Sequence, residues 1–158
     1  PVGHISLTNV TPTTISNTIN AGYRLVDIEY RGTVLGASTF HAVFVENSGA
    51  YSATWWWYTG ITATQVSSFL TTNQARLIDL EPYQDSVGNL RFACIMVDNT
   101  GSNAKAWWWY YGTTTSFINT QLGVHGARLV DLDDYWCRWI SSHCIPRCDQ
   151  SVAQYCEV

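Results

Sequence analysis

Ala75-Arg76-Leu77-Ile78-Asp79-Leu80, then Asn99-Thr100-Gly101, then Trp107-Trp108-Trp109-Tyr110, is the stretch whose reading decides the fold. The same order stands 52 residues earlier as Arg24-Leu25-Val26-Asp27, Asn47-Ser48-Gly49 and Trp55-Trp56-Trp57-Tyr58, and Arg128-Leu129-Val130-Asp131 returns 52 residues later. A register kept in this way marks an array of one supersecondary unit.

The unit can be read from its turn chemistry. Thr11, Thr62 and Thr114 each stand four residues before an apolar residue, Ile15, Val66 or Ile118, and are expected to cap helix N-termini. Pro12 suits a first helical residue, and Gln65 completes a capping box with Thr62. Ile19, Leu70 and Leu122 extend the buried face of a short helix that stops near Gly22, Asn73 or Gly126. The Leu-x-Asp segments read as a first strand, residues 39–46 and 91–98 as a second, and the Trp runs as a third; the Asn-x-Gly turns reverse the chain between the last two.

The predicted fold is therefore α+β, with three tandem helix-strand-strand-strand repeats of about 52 residues in a single domain over 1–158. Its units are about 11–61, 62–113 and 114–158. The third has no Trp strand. Aligning Thr11 with Thr62 sets His4-Ile5-Ser6-Leu7 against the Trp runs, so residues 1–10 are expected to supply that strand and close the array. An open stack ended by a disulfide-bonded cap over 137–158 satisfies the same pattern.

Composition bounds the function. A chain that is 46% hydrophobic and 13% charged can bury its own core, and a net charge of −4 with scattered Lys and Arg leaves no footprint for nucleic acid. Its apolar runs are too short to form a membrane-spanning helix. The start at Pro1, without Met or a leader, is expected of a mature chain whose targeting segment has been removed. Cys137, Cys144, Cys148 and Cys156 crowd the C-terminal segment, as a disulfide-stapled secreted protein would have them; a metal site using them with His143 would have spacing unlike common zinc patterns. Asn9-Val10-Thr11 is a glycosylation sequon, and Cys94 reads as a buried, free thiol.

Catalytic constellations are sparse. His4, His41, His125 and His143 occupy unrelated places in the repeat. Ser102-Asn103-Ala104-Lys105 has the Ser-x-x-Lys spacing of acyl-serine enzymes but follows a turn where that chemistry needs a helix, and the acidic pairs belong to the repeated scaffold. Alternation along a strand sends the Trp rings to both faces of a sheet, as core or as a stacking platform, and sends the repeated Arg and Asp to opposite faces, available to pair between units.

The combination Trp-Trp-Trp-Tyr-x-Gly, Ala-Arg-Leu-x-Asp-Leu, Arg91-Phe92-Ala93 and Val-x-Asn-x-Gly, spanning about residues 4–135, resembles the tandem repeats that accompany secreted serine-hydrolase domains of beta-lactamase type, notably in fungal polyglycine hydrolases. The resemblance implies a non-catalytic scaffold that helps engage substrate. The hydrolase domain, with its Ser, Lys and Tyr, has no counterpart in these 158 residues, so no catalytic residue carries over. The expected protein is a secreted, fungal or bacterial, non-enzymatic binding module needing no cofactor or metal. Its expected partner is a glycan or an extracellular protein surface, with candidate contacts at Tyr51, Asn103, Tyr111 and Tyr135. The alternative is an accessory substrate-binding part, or a stand-alone relative, of a secreted serine hydrolase, binding or acting on a host protein.

Overall fold

A computed structural model describes residues 3–134 and the backbone of residues 151–156. Three helices, α1 (Pro12–Asn20), α2 (Ala63–Asn73) and α3 (Thr115–His125), begin directly after the expected Thr residues. Each Thr hydroxyl accepts from a backbone N–H one turn on, at Thr14, Gln65 and Phe117, satisfying a donor the helix itself leaves orphaned. Gln65 returns the favour by accepting the Thr62 N–H at 2.9 Å, which completes the capping box. Ile15, Val66 and Ile118 are buried under the helices as their spacing predicts.

Among the described residues nine strands form three antiparallel sheets of three. Strands β1 (His4–Val10), β2 (Tyr23–Val34) and β3 (Ala37–Glu46) make the first, β4 (Trp55–Ile61), β5 (Ala75–Gln84) and β6 (Leu90–Asp98) the second, and β7 (Trp107–Thr113), β8 (Arg128–Asp134) and β9 (Ser151–Cys156) the third. In each sheet the last strand lies between the other two, in the orders β1-β3-β2, β4-β6-β5 and β7-β9-β8.

This pairing corrects the phase of the expected unit. The repeat is strand-helix-strand-strand, each Trp strand belonging to the helix that follows it. The N-terminal strand does not close the third unit: His4 to Leu7 pair with β3 in the first, just as Trp55 to Tyr58 pair with β6. The Asn-x-Gly turns accordingly join one unit to the next. The expected cap over 137–158 is also revised, because residues 151–156 are the central strand of the third sheet. Cys137, Cys144 and Cys148 lie outside the described residues, and Cys156 ends a strand described by backbone alone, so the disulfide expectation falls outside them too. Cys94 is free and buried, and burial pushes its thiol up from the ordinary range.

The core runs between units. Ile15, Leu25, Ile28, Phe40 and Phe44 of the first unit pack with Tyr83, Ala93 and Ile95 of the second, and half-buried Trp55 and Trp57 cover them. Trp107 and Trp109 do the same for Val66, Leu77, Leu80, Phe92 and Met96 of the second unit. Trp56 and Tyr58, facing the other way, close the cluster under their own helix. Both faces of a Trp strand are thus packing surfaces, each ring removing roughly 150–250 Å² from water in full burial. In β1 the places of Trp55 and Trp57 are taken by His4 and Ser6, both exposed, where no earlier unit needs covering.

A bulge recurs at the x of Arg-Leu-x-Asp. Leu25 pairs with Phe44 and Asp27 with Val43, so Val26 has no partner of its own; Ile78 and Val130 repeat this. Two residues opposite one shift the alternation by a residue, and the repeated Arg and Asp lie on the same face rather than on opposite ones. β2 and β5 are edge strands of their sheets, so alternate backbone N–H groups point away from the central strand, where the neighbouring unit can use them.

Candidate functional site

The repeated carboxylates take up those amides. Asp79 accepts from Ile28 N–H at 2.6 Å, Asp131 accepts from Leu80 N–H at 3.3 Å, and Glu81 accepts from Tyr30 N–H at 2.9 Å. The expected pairing of the repeated Arg and Asp between units is thereby corrected: Asp79 and Asp131 bond backbone amides of the neighbouring unit, and Arg24 and Arg76 form no ion pair among the described residues. Burial holds Asp79 well above the usual carboxylate range, against the pull of the Ile28 bond and with the help of Asp131, Asp27 and Asp133. Burial likewise pushes Glu81 up to about 8, and Asp27 is raised by burial, Glu29 and Asp131. These groups are scaffold. Among the described residues no cluster of His, Cys, Asp or Glu has the arrangement of a metal site.

The released Arg residues line a cleft of about 370 Å³. Arg24 and Arg76, each second in its strand, share its wall with Ser52, Ser102, Asn103, Lys105 and Asp98. The Nε atoms of Arg24 and Arg76 are shielded from solvent and have no hydrogen-bond partner. The ion pair formed among the described residues, Arg91 with Asp85 at 3.2 Å, lies elsewhere.

Two inter-unit loops border the cleft, each pinned by the Asn of its Asn-x-Gly turn. Asn47 accepts from Ala53 N–H at 2.9 Å and donates to Ala53 O at 3.3 Å; Asn99 does the same to Lys105, at 2.9 and 3.1 Å. The side-chain amide substitutes for a backbone pair, and Gly49 and Gly101 supply the left-handed φ of +55° and +53° that the loops need. Asp98 accepts from Asn103 Nδ2 at 3.0 Å and Thr100 Oγ1 at 2.8 Å, which hold its carboxyl below the ordinary range.

The candidate contacts separate. Tyr51 and Asn103 occupy equivalent last places in the 3-10 turns Gly49–Tyr51 and Gly101–Asn103. Tyr51 is 61% exposed; Asn103 lines the cleft. Tyr111 is half-exposed and stacks on Trp109, its ring edge-on to Phe92, on a different element. Tyr135 lies outside the described residues, and Tyr83, its counterpart one repeat earlier, is buried in the core. Asn9 is exposed at φ +53°, the place held by Gly60 and Gly112 in the later units. Ser102 sits in a three-residue 3-10 turn, away from any helix start, which removes the structural context of the Ser-x-x-Lys motif.

Sequence reasoning missed Arg24 and Arg76 as cleft residues because strict alternation pointed them away from where the bulge places them. Their signal was the recurrence of Arg beside Asn-pinned loops.

No curated protein matches the sequence. Residues 52–99, the whole of the second unit from β4 to β6 with the residues just before it, match the family described as polyglycine hydrolase-like, structural repeat. The chain is thus a tandem-repeat protein whose repeat resembles that of the polyglycine hydrolases.

Proposed function

We propose that the chain is a secreted, non-catalytic binding module that holds a glycan at the cleft between its pinned inter-unit loops. The observation that carries this reading is the cleft's lining: hydroxyls of Ser52 and Ser102 and the amide of Asn103 on the inter-unit loops, beside the strand residues Arg24 and Arg76, whose Nε atoms have no partner. Convergent polar donors on a stiff frame are what recognition of a hydroxyl-rich ligand requires. The matched family is a structural repeat and not a catalytic domain, and three carboxylates of the repeated pattern, Asp79, Glu81 and Asp131, are bonded to backbone amides of neighbouring units.

A second reading, favoured by the polyglycine hydrolase-like match, is an accessory part of a secreted serine hydrolase that grips a host protein. A glycan array run beside a pull-down from host extract separates the two. Specific glycan capture supports the first. A specific protein captured with silence on glycans reverses the preference, and turnover of array ligands at high protein concentration would overturn the non-catalytic reading.

A further inference from the structure

We propose that the cleft at Arg24, Arg76 and Lys105 is a subsite for an acidic sugar, a uronic-acid residue whose carboxylate sits between the two guanidinium groups. This rests on the glycan-binding reading above and names the chemistry of the ligand.

Charge is the first argument. The chain carries eight Lys and Arg and a net charge of −4, yet three of those eight cations line this one cleft. A guanidinium withdrawn from water normally acquires a carboxylate or a set of acceptors, because an unpaired buried donor forfeits its hydration without return. Arg24 and Arg76 have neither at Nε. The carboxylates that the repeat places on the same strand face, Asp27 and Asp79, do not quench them: Asp79 is committed to Ile28 N–H. The fold therefore sets two guanidinium groups, each with an unpartnered Nε, in the cleft wall beside a third cation. An oxyanion with two oxygens matches that fork.

The rest of the lining selects among oxyanions. Asp98 faces the same cleft and is held ionised by Asn103 and Thr100, so a polyanion lying along the wall would meet a fixed negative charge. A ligand with one carboxylate and several hydroxyls avoids that conflict, since its hydroxyls can donate to Asp98 and accept from Ser52, Ser102 and Asn103. That combination describes a uronate within an otherwise neutral chain better than an acidic peptide. The volume of about 370 Å³ accommodates a sugar unit or two and leaves the ends of a longer chain in solvent.

The test is calorimetric titration of the whole chain with tetragalacturonate, with its fully methyl-esterified counterpart and with hexaglutamate. The expected result is binding of the acid form at least about tenfold tighter than the ester, weakening as salt is raised. Arg76→Gln should cost about tenfold or more in affinity, with the fold checked by circular dichroism. Lys105→Gln, on an exposed loop where folding is not at stake, should weaken binding by a smaller factor and flatten its salt dependence. Equal affinity for acid and ester, or indifference to both substitutions, overturns the subsite. So does hexaglutamate bound more tightly through the same residues. A neutral glycan whose binding survives both substitutions would also overturn it while leaving the binding-module reading in place.

Discussion

Position 74 shows what one residue can carry in a repeat. Gly22 and Gly126 leave their helices with φ of +98° and +58°, and Gln74, at the equivalent place, does so at φ +50° with a Cβ that the left-handed region disfavours. The neighbouring backbone over-determines it: Asn99 N–H donates to Gln74 O at 3.0 Å, as Asn47 N–H donates to Gly22 O. Relieving that strain is worth roughly 1–2 kcal/mol, offset in part by the greater freedom of Gly in the unfolded chain, at roughly 0.5–1 kcal/mol. Gln74→Gly should therefore stabilise the protein by about 0.5–1 kcal/mol, seen as a higher urea midpoint at unchanged slope. A lower midpoint would mean that the exposed Gln side chain contributes a contact of its own. The sequence placed this helix exit at Asn73, on residue preference; the 52-residue register pointed one position further on, and the register prevailed.

At the scale of elements, legibility followed locality. The three Thr caps and the capping box were readable because each is a side chain meeting a backbone group three residues away. The Asn-x-Gly loops were readable as turns, though their clamp was not, since it joins Asn99 to a backbone six residues on. Asn99→Ala deletes both bonds on an exposed loop where water takes over part of the work, and should cost about 1–2 kcal/mol; Asn99→Asp, which keeps the acceptor for Lys105 N–H and loses the donor, should fall between. Urea unfolding of the two variants gives that order, and an unaltered Asn99→Ala would assign the loop's shape to Gly101 alone. Two features escaped the sequence for a different reason. A bulge breaks the very alternation by which faces are assigned, so Arg76 and Asp79 were read onto opposite sides. The phase of a periodic pattern is also invariant to where counting starts. Only the pairing of His4 to Leu7 with β3 shows that a strand opens each unit.

Over the whole molecule the interfaces between units are made twice, by a Trp pair outside and by carboxylates at the seam. Leu129 and Leu132 stand 38% and 44% exposed, while their counterparts Leu25, Leu77, Ile28 and Leu80 are buried; among the described residues no Trp pair lies over them. The carboxylates make stability depend on acidity. Glu81 binds its proton up to about pH 8 in the folded chain but only up to its ordinary 4.5 once unfolded, and burial raises Asp79 in the same direction. Between those two pH values the folded state holds protons that the unfolded state has released, so stability falls as pH rises through that window. On the acid side Asp98, held low by Asn103 and Thr100, contributes stability that is lost as pH drops below its ordinary 3.8. Thermal unfolding should therefore be latest in mildly acidic buffer, with Tm declining toward pH 9 by on the order of 5 °C or more. Glu81→Gln keeps an oxygen for the Tyr30 amide and removes the titration. Its Tm should exceed that of the parent at pH 8.5 and match it near pH 4, flattening the slope between. A parent Tm that climbs steadily from pH 5 to pH 8 would show that these carboxylates are ionised in the folded chain, and that the seam between units is wetter than the burial of Asp79 and Glu81 implies.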